Sequence, residues 1–140
     1  MSATESRNMF RQRNYSQMYG SCIQWNRSME TPMIKQENVA ARGIRFSVRR
    51  DGAEAARAYL YIIQNDLHPE PFGLLEDVFT AEQYRGTGLA TQIVEAAVAE
   101  ARRQGCYKLI ATRREGKDWL DRFYGKFGFQ KWGAELRVTF

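Results

Sequence analysis

The sequence predicts an α/β (α+β) fold, with a mixed, mostly antiparallel sheet, one parallel strand–helix–strand crossover and helices on both faces of the sheet. Three observations predict it. Apolar and polar residues alternate between residues 44 and 48, as in a half-buried strand, and two further apolar strand-like segments follow before residue 80. An apolar stripe at helical spacing runs from Ala90 to Ala101. A short apolar segment, Lys108–Thr112, follows this helix, so the strands on its two sides are expected to be parallel.

The length of 140 residues suits one domain with one core. The net charge of +5 admits an anionic partner, but the basic residues are scattered and no block of like charges occurs. Two cysteines, Cys22 and Cys106, are too few for a disulfide framework and lack the spacing of metal ligands, so no metal is expected. Neither a signal peptide nor a membrane-spanning run is evident, and a cytoplasmic protein with free thiols is the simplest interpretation.

Three strands are expected in the first half of the regular region. The first has alternating apolar side chains at Ile44, Phe46 and Val48. Asp51-Gly52 is the signal of a tight hairpin turn to a second strand, Ala56–Ile63. A loop containing His68 and two prolines then separates this strand from a third, Leu74–Phe79. The three strands form an antiparallel meander.

The second half contains two helices and three short strands. The first helix has its stripe at Ala90, Val94, Ala97, Val98 and Ala101. Gly105 is the expected end of this helix. After the strand Lys108–Thr112, a second helix is expected at Asp118–Lys126, ending at Gly128. Two final strands, Phe129–Trp132 and Glu135–Phe140, complete the expected sheet as a hairpin.

Residues 1–40 differ in composition from residues 41–140 and show no clear period. A short amphipathic helix is one interpretation, because several apolar residues lie three or four positions apart. These are Tyr15, Met18, Tyr19, Ile23 and Trp25. An irregular arm is the other interpretation. The expected organisation is therefore an N-terminal arm or short helix at 1–40 and a folded core at 41–140.

The segment Gln83–Ala90 joins a strand to a helix and contains Gly86 and Gly88. Glycine permits positive φ and close approach of a ligand. The first amides of a helix have no acceptor within the helix, so with the helix dipole they suit a diphosphate. Tight turns also need glycine for purely structural reasons. A dinucleotide fingerprint does not fit, because Thr91 occupies its third glycine position and only one parallel strand follows.

The segment Arg85-Gly86-Thr87-Gly88-Leu89-Ala90 matches R-x-x-G-x-[GA], with a second frame beginning at Gln83. It resembles the coenzyme A diphosphate loop of the GNAT N-acetyltransferase superfamily. Leu75–Phe79 before it resembles the acetyl-binding strand of that family. Phe123–Phe129 after it resembles the family motif F-Y-x-x-x-G-F. The resemblance covers about residues 43–140.

The resemblance implies that acetyl-CoA lies in a gap where the strand before the loop separates from its parallel neighbour. The pantetheine arm would pair with the main chain of Val78, Phe79 and Thr80. The amide of Val78 would also face the thioester oxygen and stabilise an oxyanion. The diphosphate would contact the remaining cofactor-binding residues. These are Arg85, Gly86, Thr87, Gly88, Leu89, Ala90 and Thr91.

Tyr124 matches the acid tyrosine of the family, and a phenol with a pKa of about 10 suits proton donation to a thiolate. The alternative is a core aromatic ring with a surface hydroxyl. Glu76 is the candidate base, because Glu76 and Asp77 point to opposite faces of a strand and one of them should face the acceptor. Both could instead be solvated or paired with arginines. His68 is expected to be an exposed loop residue.

Two features depart from the family pattern. The strand and two helices with which the family usually begins are not clear in residues 1–40. Many members carry an asparagine where this chain has Lys117. Arg113, Arg114 and Lys117 form a basic cluster that either meets an anionic group or is a solvated loop.

The predicted function is that of an enzyme, an N-acetyltransferase that moves the acetyl group of acetyl-CoA to an amine on a small cationic molecule. The alternatives are a non-catalytic CoA-binding module and acetylation of a protein or aminoacyl-tRNA amine. No clustered basic stripe supports nucleic-acid binding, and no membrane partner is expected. A homodimer remains open.

Overall fold

A two-residue hairpin joins the first two strands, β1 (Ala41–Arg50) and β2 (Ala53–Ile63). The computed structural model describes residues 33–140. Asp51 and Gly52 form the loop, with φ of 50° and 77°, the left-handed pair that a type I′ turn requires. The hairpin predicted from Asp51-Gly52 is confirmed, and β2 begins three residues earlier than expected.

Within residues 33–140, the sheet has four strands in the order β1–β2–β3–β4. The third strand, β3 (Phe72–Thr80), is antiparallel to β2, and the fourth, β4 (Leu109–Ala111), is parallel to β3. The helix α1 (Leu89–Arg103) connects β3 to β4. The predicted meander and the predicted parallel crossover are both confirmed.

The helix α1 packs against β2 and β3, and its inward face forms the core with the small residues of β2. Leu60 and Leu75 lie opposite each other on β2 and β3 and are almost completely buried. Burial of each such side chain contributes about 1.5–3 kcal/mol. The predicted helix stripe is confirmed in part, since Ala90 and Val98 are only half-buried and two unpredicted residues join the core. The buried residues of α1 are Leu89, Ile93, Val94, Ala97 and Ala101.

The helix α1 ends where glycine was predicted. Gly105 has φ of 72°, and its amide donates to the carbonyl of Arg102 at 2.9 Å. The amide of Cys106 donates to the carbonyl of Ala101 at 3.0 Å. This pair of bonds is the Schellman motif, which needs a left-handed residue at the position of Gly105.

The second helix, α2 (Trp119–Gly125), is one turn shorter than a typical helix but lies within the predicted range. Its aromatic side chains Phe123 and Tyr124, with Phe127 and Phe129 after it, pack against the core and are partly buried. The structure is therefore a mixed α+β domain, which confirms the predicted fold class.

The two final strands, Phe129–Trp132 and Glu135–Phe140, were predicted wrongly. Residues 129–140 form neither helix nor strand. Trp132 is 96% exposed and Leu136 is 95% exposed. Alternating side chains favour a strand only where a neighbouring strand pairs with its backbone and a core covers its apolar face. Within the described residues, no strand pairs with this segment, and every side chain after Phe129 is exposed.

A compact unit spans Glu37–Phe140. The helix or arm predicted around Tyr15–Trp25, and the free thiol of Cys22, lie outside the described residues. Cys106 is a free thiol, and partial burial raises its pKa. Among residues 33–140, no helix has the length and apolar character needed to cross a bilayer. The assignment of separate roles to 1–40 and 41–140 stays a prediction.

Candidate active site

The connection from β3 to α1 begins with a 3₁₀ turn, Glu82–Tyr84, and continues through two glycines with positive φ. The φ angles are 76° at Gly86 and 82° at Gly88. A Cβ atom at either glycine would meet nothing within 4 Å. The backbone conformation, and not crowding by the protein, is therefore what requires glycine here. Among residues 33–140, no atom occupies the position that a side chain would take at either glycine.

The start of α1 presents amides that have no partner. Gly88 is the N-cap and supplies no side-chain cap, and the first bond of the helix runs from the amide of Gln92 to the carbonyl of Gly88 at 3.1 Å. The amides of Leu89, Ala90 and Thr91 therefore lack an acceptor within the helix. Within residues 33–140, no acceptor is present for them or for the three preceding amides. Together with the helix dipole, these donors suit an anion such as a diphosphate.

Side chains of the loop fix its shape. The Thr87 hydroxyl donates to the carbonyl of Tyr84 at 2.6 Å. The Tyr84 hydroxyl donates to Asp51 Oδ2 at 2.8 Å, and this bond raises the pKa of Tyr84. Arg85 Nε lies 3.4 Å from the carbonyl oxygen of Thr80. The diphosphate loop is thereby attached both to the β1–β2 turn and to the end of β3.

The ladder between β3 and β4 covers only the first part of β3. It pairs Gly73–Leu75 with Leu109–Ala111 and stops there. The remaining residues of β3, Glu76–Thr80, have β2 on one side and no strand of the described chain on the other. This unpaired edge of β3 leads directly into the glycine loop, and it is called the open edge below. Pairing between β3 and β4 therefore ends before the segment where the family resemblance implies that the two strands separate.

A β-bulge lies at the point where β4 ends. Arg57 pairs with Phe79 and Tyr59 pairs with Glu76, so Asp77 and Val78 together oppose the single residue between Arg57 and Tyr59. Asp77 has φ of 48°, a left-handed conformation that costs a non-glycine residue about 1–3 kcal/mol. The bulge shifts the register of β3 for the rest of the open edge.

The two neighbouring carboxylates have different surroundings. Asp77 accepts a double hydrogen bond from Arg57, with Nε–Oδ2 at 2.7 Å and Nη2–Oδ1 at 3.3 Å. Glu76 is half-buried and makes no ion pair with a described residue. Its negative charge is one of the two causes that raise the pKa of Tyr124. The charge of Glu76 therefore acts on Tyr124, whereas Asp77 is held in an ion pair with Arg57.

Tyr124 is half-buried, and burial is the larger cause of its raised pKa. The phenol is therefore protonated at neutral pH, as a proton donor must be. Its ring contacts Phe129 edge to face at 5.4 Å. The amide of Phe129 donates to the carbonyl of Tyr124 at 3.3 Å, and Gly128 between them has φ of 91°. The glycine at the end of α2 thus folds Phe129 back against the Tyr124 ring.

Other predicted residues lie away from the open edge. His68 is exposed and its ring lies 4.1 Å from that of Tyr107, beside the first residues of β3. Arg113 pairs with Asp121 at 2.5 Å and with Asp118 at 3.2 Å. The loop interpretation of His68 agrees with its position, and Arg113 is engaged within the protein.

A groove of about 1190 Å³ lies between the end of α1, β4 and the chain after α2. Tyr124 is the only predicted site residue that lines it. Residues 128–135 and Arg137 form one wall of the groove, and they belong to no strand. The groove does not include the glycine loop or β3, so its volume does not describe the open edge.

Sequence reasoning missed Arg57. Its place in a strand rich in alanine and tyrosine gives no functional signal, since a strand arginine usually faces solvent. The positive φ of Asp77 occurs at the bulge, and no residue of β3 predicts a bulge from the sequence. A pairing of one strand arginine with one bulge aspartate is visible only in three dimensions. In residues 33–140, no group of three or more metal-ligating side chains that could hold an ion is found.

A model of the acetyltransferase (GNAT) family matches residues 7–129. The match begins within the N-terminal part that was expected to diverge. No curated protein matches the sequence significantly.

Three solved structures show how far the similarity extends. An acetyltransferase from Trypanosoma brucei is 28% identical, with a TM-score of 0.62, over 71% of this chain and 69% of that one. A protein from Agrobacterium tumefaciens with a provisional acetyltransferase name is 26% identical, with a TM-score of 0.64, over 69% and 68%. Glucosamine-6-phosphate N-acetyltransferase from Arabidopsis thaliana is 24% identical, with a TM-score of 0.65, over 70% and 67%. Since the family model covers well over half of the 140 residues, the chain belongs to the GNAT acetyltransferase family and is an acyltransferase.

Proposed function

We propose that this chain binds acetyl-CoA along the open edge of β3 and transfers the acetyl group to a primary amine on a small cationic molecule. One observation carries the proposal. Amides without a described acceptor at the start of α1 adjoin the open edge of β3, and the charge of Glu76, on that edge, raises the pKa of Tyr124.

The cofactor is an anion with a long polar arm, and the site offers a matching group for each part. The diphosphate contacts the amides of Gly86–Thr91, where small residues and the helix dipole favour negative charge. The pantetheine arm pairs with the main chain of Val78–Thr80, in place of the missing strand. The carbonyl of Thr80 already has Arg85 Nε nearby, which leaves its second lone pair for the arm.

Tyr124 acts as the general acid. When the C–S bond of the thioester breaks, the sulfur leaves as a thiolate and takes the proton of the phenol. Both burial and the charge of Glu76 raise the pKa of Tyr124, so the proton is retained until the thiolate forms. The phenolate that remains then regains its proton from solvent or from the acceptor side.

Glu76 acts as the base and sets the charge of the acceptor. An amine is largely protonated at neutral pH, so one proton must leave before its nitrogen attacks the thioester carbon. Glu76 accepts that proton, directly or through one water. A half-buried carboxylate without a described ion-pair partner also attracts an ammonium group, which favours a cationic acceptor over an anionic one.

A non-catalytic CoA-binding module would retain the diphosphate loop without turnover. Acetylation of a protein or aminoacyl-tRNA amine would give thiol release only with a macromolecular acceptor. Release of free CoA thiol from acetyl-CoA with a panel of small amines, including polyamines and aminoglycosides, separates these functions. A cytoplasmic location, expected from the free thiols, and a homodimer stay predictions.

Gly86→Ala and Gly88→Ala will each weaken CoA binding by about tenfold. Alanine at positive φ is strained by roughly 1–2 kcal/mol, so the loop leaves the conformation that aligns its amides. Calorimetric titration with CoA measures the effect. Gly105→Ala is the matched control, because Gly105 has φ of 72° and open space at the opposite end of the same helix. Equal losses in all three variants would show that general destabilisation is the cause.

Tyr124→Phe will lower kcat by about 10²–10⁴-fold, because a positioned proton donor contributes about this much. The Kd of CoA will change little, since the hydroxyl acts on the departing sulfur and the ring remains in place against Phe129. Thiol release and calorimetry measure the two quantities. A kcat equal to that of the wild type would remove Tyr124 from the mechanism.

Glu76→Gln will lower the pKa of Tyr124 and reduce kcat with amine acceptors. The carboxylate charge disfavours the phenolate in the wild type, so a neutral amide relieves that part of the shift while burial continues to raise the pKa. Carbon-13 NMR of tyrosine labelled at Cζ follows the titration, and the Tyr124→Phe spectrum identifies the resonance. Glu70→Gln, in the loop before β3, is the control and should leave both quantities unchanged. An unaltered Tyr124 titration in Glu76→Gln would contradict the proposed pairing.

A further inference from the structure

Asp77 has a backbone conformation that is uncommon within a strand. Among residues 33–140, two non-glycine residues have positive φ, and Asp77 is the one that lies within a strand. The other is Asp51, in the hairpin turn. Aspartate tolerates positive φ better than most residues do, but glycine is the residue that adopts it with no steric penalty. Contacts that hold the Asp77 side chain therefore help to keep this conformation.

Arg57 on β2 holds that side chain from across the sheet. Its Nε and Nη2 atoms donate to the two carboxylate oxygens of Asp77, and its Nη1 donates to Glu54 Oε1 at 2.9 Å. The guanidinium also lies over the ring of Phe79, 4.4 Å from the centroid. Asp77, Glu54 and Phe79 together orient the guanidinium, and the oriented guanidinium holds the Asp77 carboxylate in place.

The fixed bulge lies at the place where the proposed chemistry occurs. Asp77 and Val78 are the two bulged residues, and they follow Glu76 immediately. The ladder with β4 ends at Leu75, the residue before Glu76. Any rotation of the Asp77 backbone would turn the peptide between Asp77 and Val78, and with it the amide of Val78.

We propose that Arg57 and Asp77 are positioning residues, an ion pair that holds the Asp77–Val78 peptide in the bulged conformation and so directs the Val78 amide to the thioester oxygen. This inference rests on the proposed function. Arg57 touches neither substrate nor reacting atoms, and it acts through the backbone of its partner. Lysine could not replace it, because a single ammonium cannot donate in parallel to both oxygens of Asp77 while also bonding to Glu54.

The test uses a backbone rescue in the full chain. Arg57→Ala will lower kcat by about tenfold or more, because a misaligned oxyanion donor loses much of its contribution, while the KM for acetyl-CoA changes less. Asp77→Gly will lose less kcat than Arg57→Ala, since glycine adopts positive φ without a partner. The double variant Arg57→Ala/Asp77→Gly will regain most of the activity lost in Arg57→Ala.

Arg45→Ala is the matched control. Arg45 lies on β1, is paired with Glu54 as Arg57 is, and has no contact with Asp77. Its loss should leave kcat unchanged. Arg57→Lys should behave like Arg57→Ala. This result would separate the contact with both carboxylate oxygens of Asp77 from the effect of a positive charge alone.

Two results would overturn the inference: an unchanged kcat in Arg57→Ala, or a double variant no more active than Arg57→Ala. If Arg57 only stabilised the fold, Arg57→Ala would lower Tm without a selective loss of kcat. Adding Asp77→Gly would then not restore the lost stability. Backbone NMR shifts of Asp77 and Val78 give an independent readout, which should move in Arg57→Ala and return in the double variant. If the wild type has no turnover, the proposed function fails, while the NMR shifts still decide whether the pair holds the bulge.

Discussion

The early end of the parallel ladder between β3 and β4 is the constraint on which the rest of the site depends. The two strands share only the pairs from Gly73–Leu109 to Leu75–Ala111. A strand edge exposes backbone donors and acceptors that protein or ligand must satisfy. Because β3 continues to Thr80 after β4 has ended, its last residues offer such an edge beside the start of α1. A ligand with an extended arm and a diphosphate would satisfy both sets of backbone groups, those along the open edge and those at the start of α1.

Two conformational features keep this edge in its form. The bulge at Asp77 and Val78 changes the register of β3 where β4 ends, and the Arg57–Asp77 pair offsets its backbone strain. The glycines at 86 and 88 then turn the chain so that α1 begins beyond the edge. The bulge has a strained conformation at Asp77, whereas glycine adopts positive φ freely, and both features are supported by contacts from β2 or from the β1–β2 turn. The site is therefore built by the backbone, and side chains act mainly by holding that backbone in place.

The proposed acid and the proposed base come from separate parts of the fold. Glu76 belongs to β3 and Tyr124 to α2, and burial together with the charge of Glu76 raises the pKa of Tyr124. Tyr124 is oriented by the turn at Gly128, which folds Phe129 onto its ring. The loop after α2 thus orients the proposed acid although it carries no reacting group itself.

Much of this could be predicted from the sequence, because local signals carry it. Asp51-Gly52 specifies the hairpin, Gly105 ends α1, and the loop glycines stand out between a strand and a helix. The pairing of Arg57 with Asp77 was not predictable, since it joins residues of different strands across a bulge. The final strands were predicted wrongly because alternating apolar and polar side chains around Leu136 favour a strand but supply no partner strand for it to pair with. Local patterns thus predict elements, whereas pairing across the sheet decides which of them form and how they are shaped.

The central claim is that backbone donors at the start of α1 and along the open edge bind CoA. The most direct measurement is a titration of the nitrogen-15-labelled chain with CoA, followed by amide shifts. The account predicts that the largest changes occur at Gly86–Thr91 and at Val78, with little change at the groove residues Ile110 and Trp132. Large shifts confined to that groove, with the amides of Gly86–Thr91 unmoved, would contradict it.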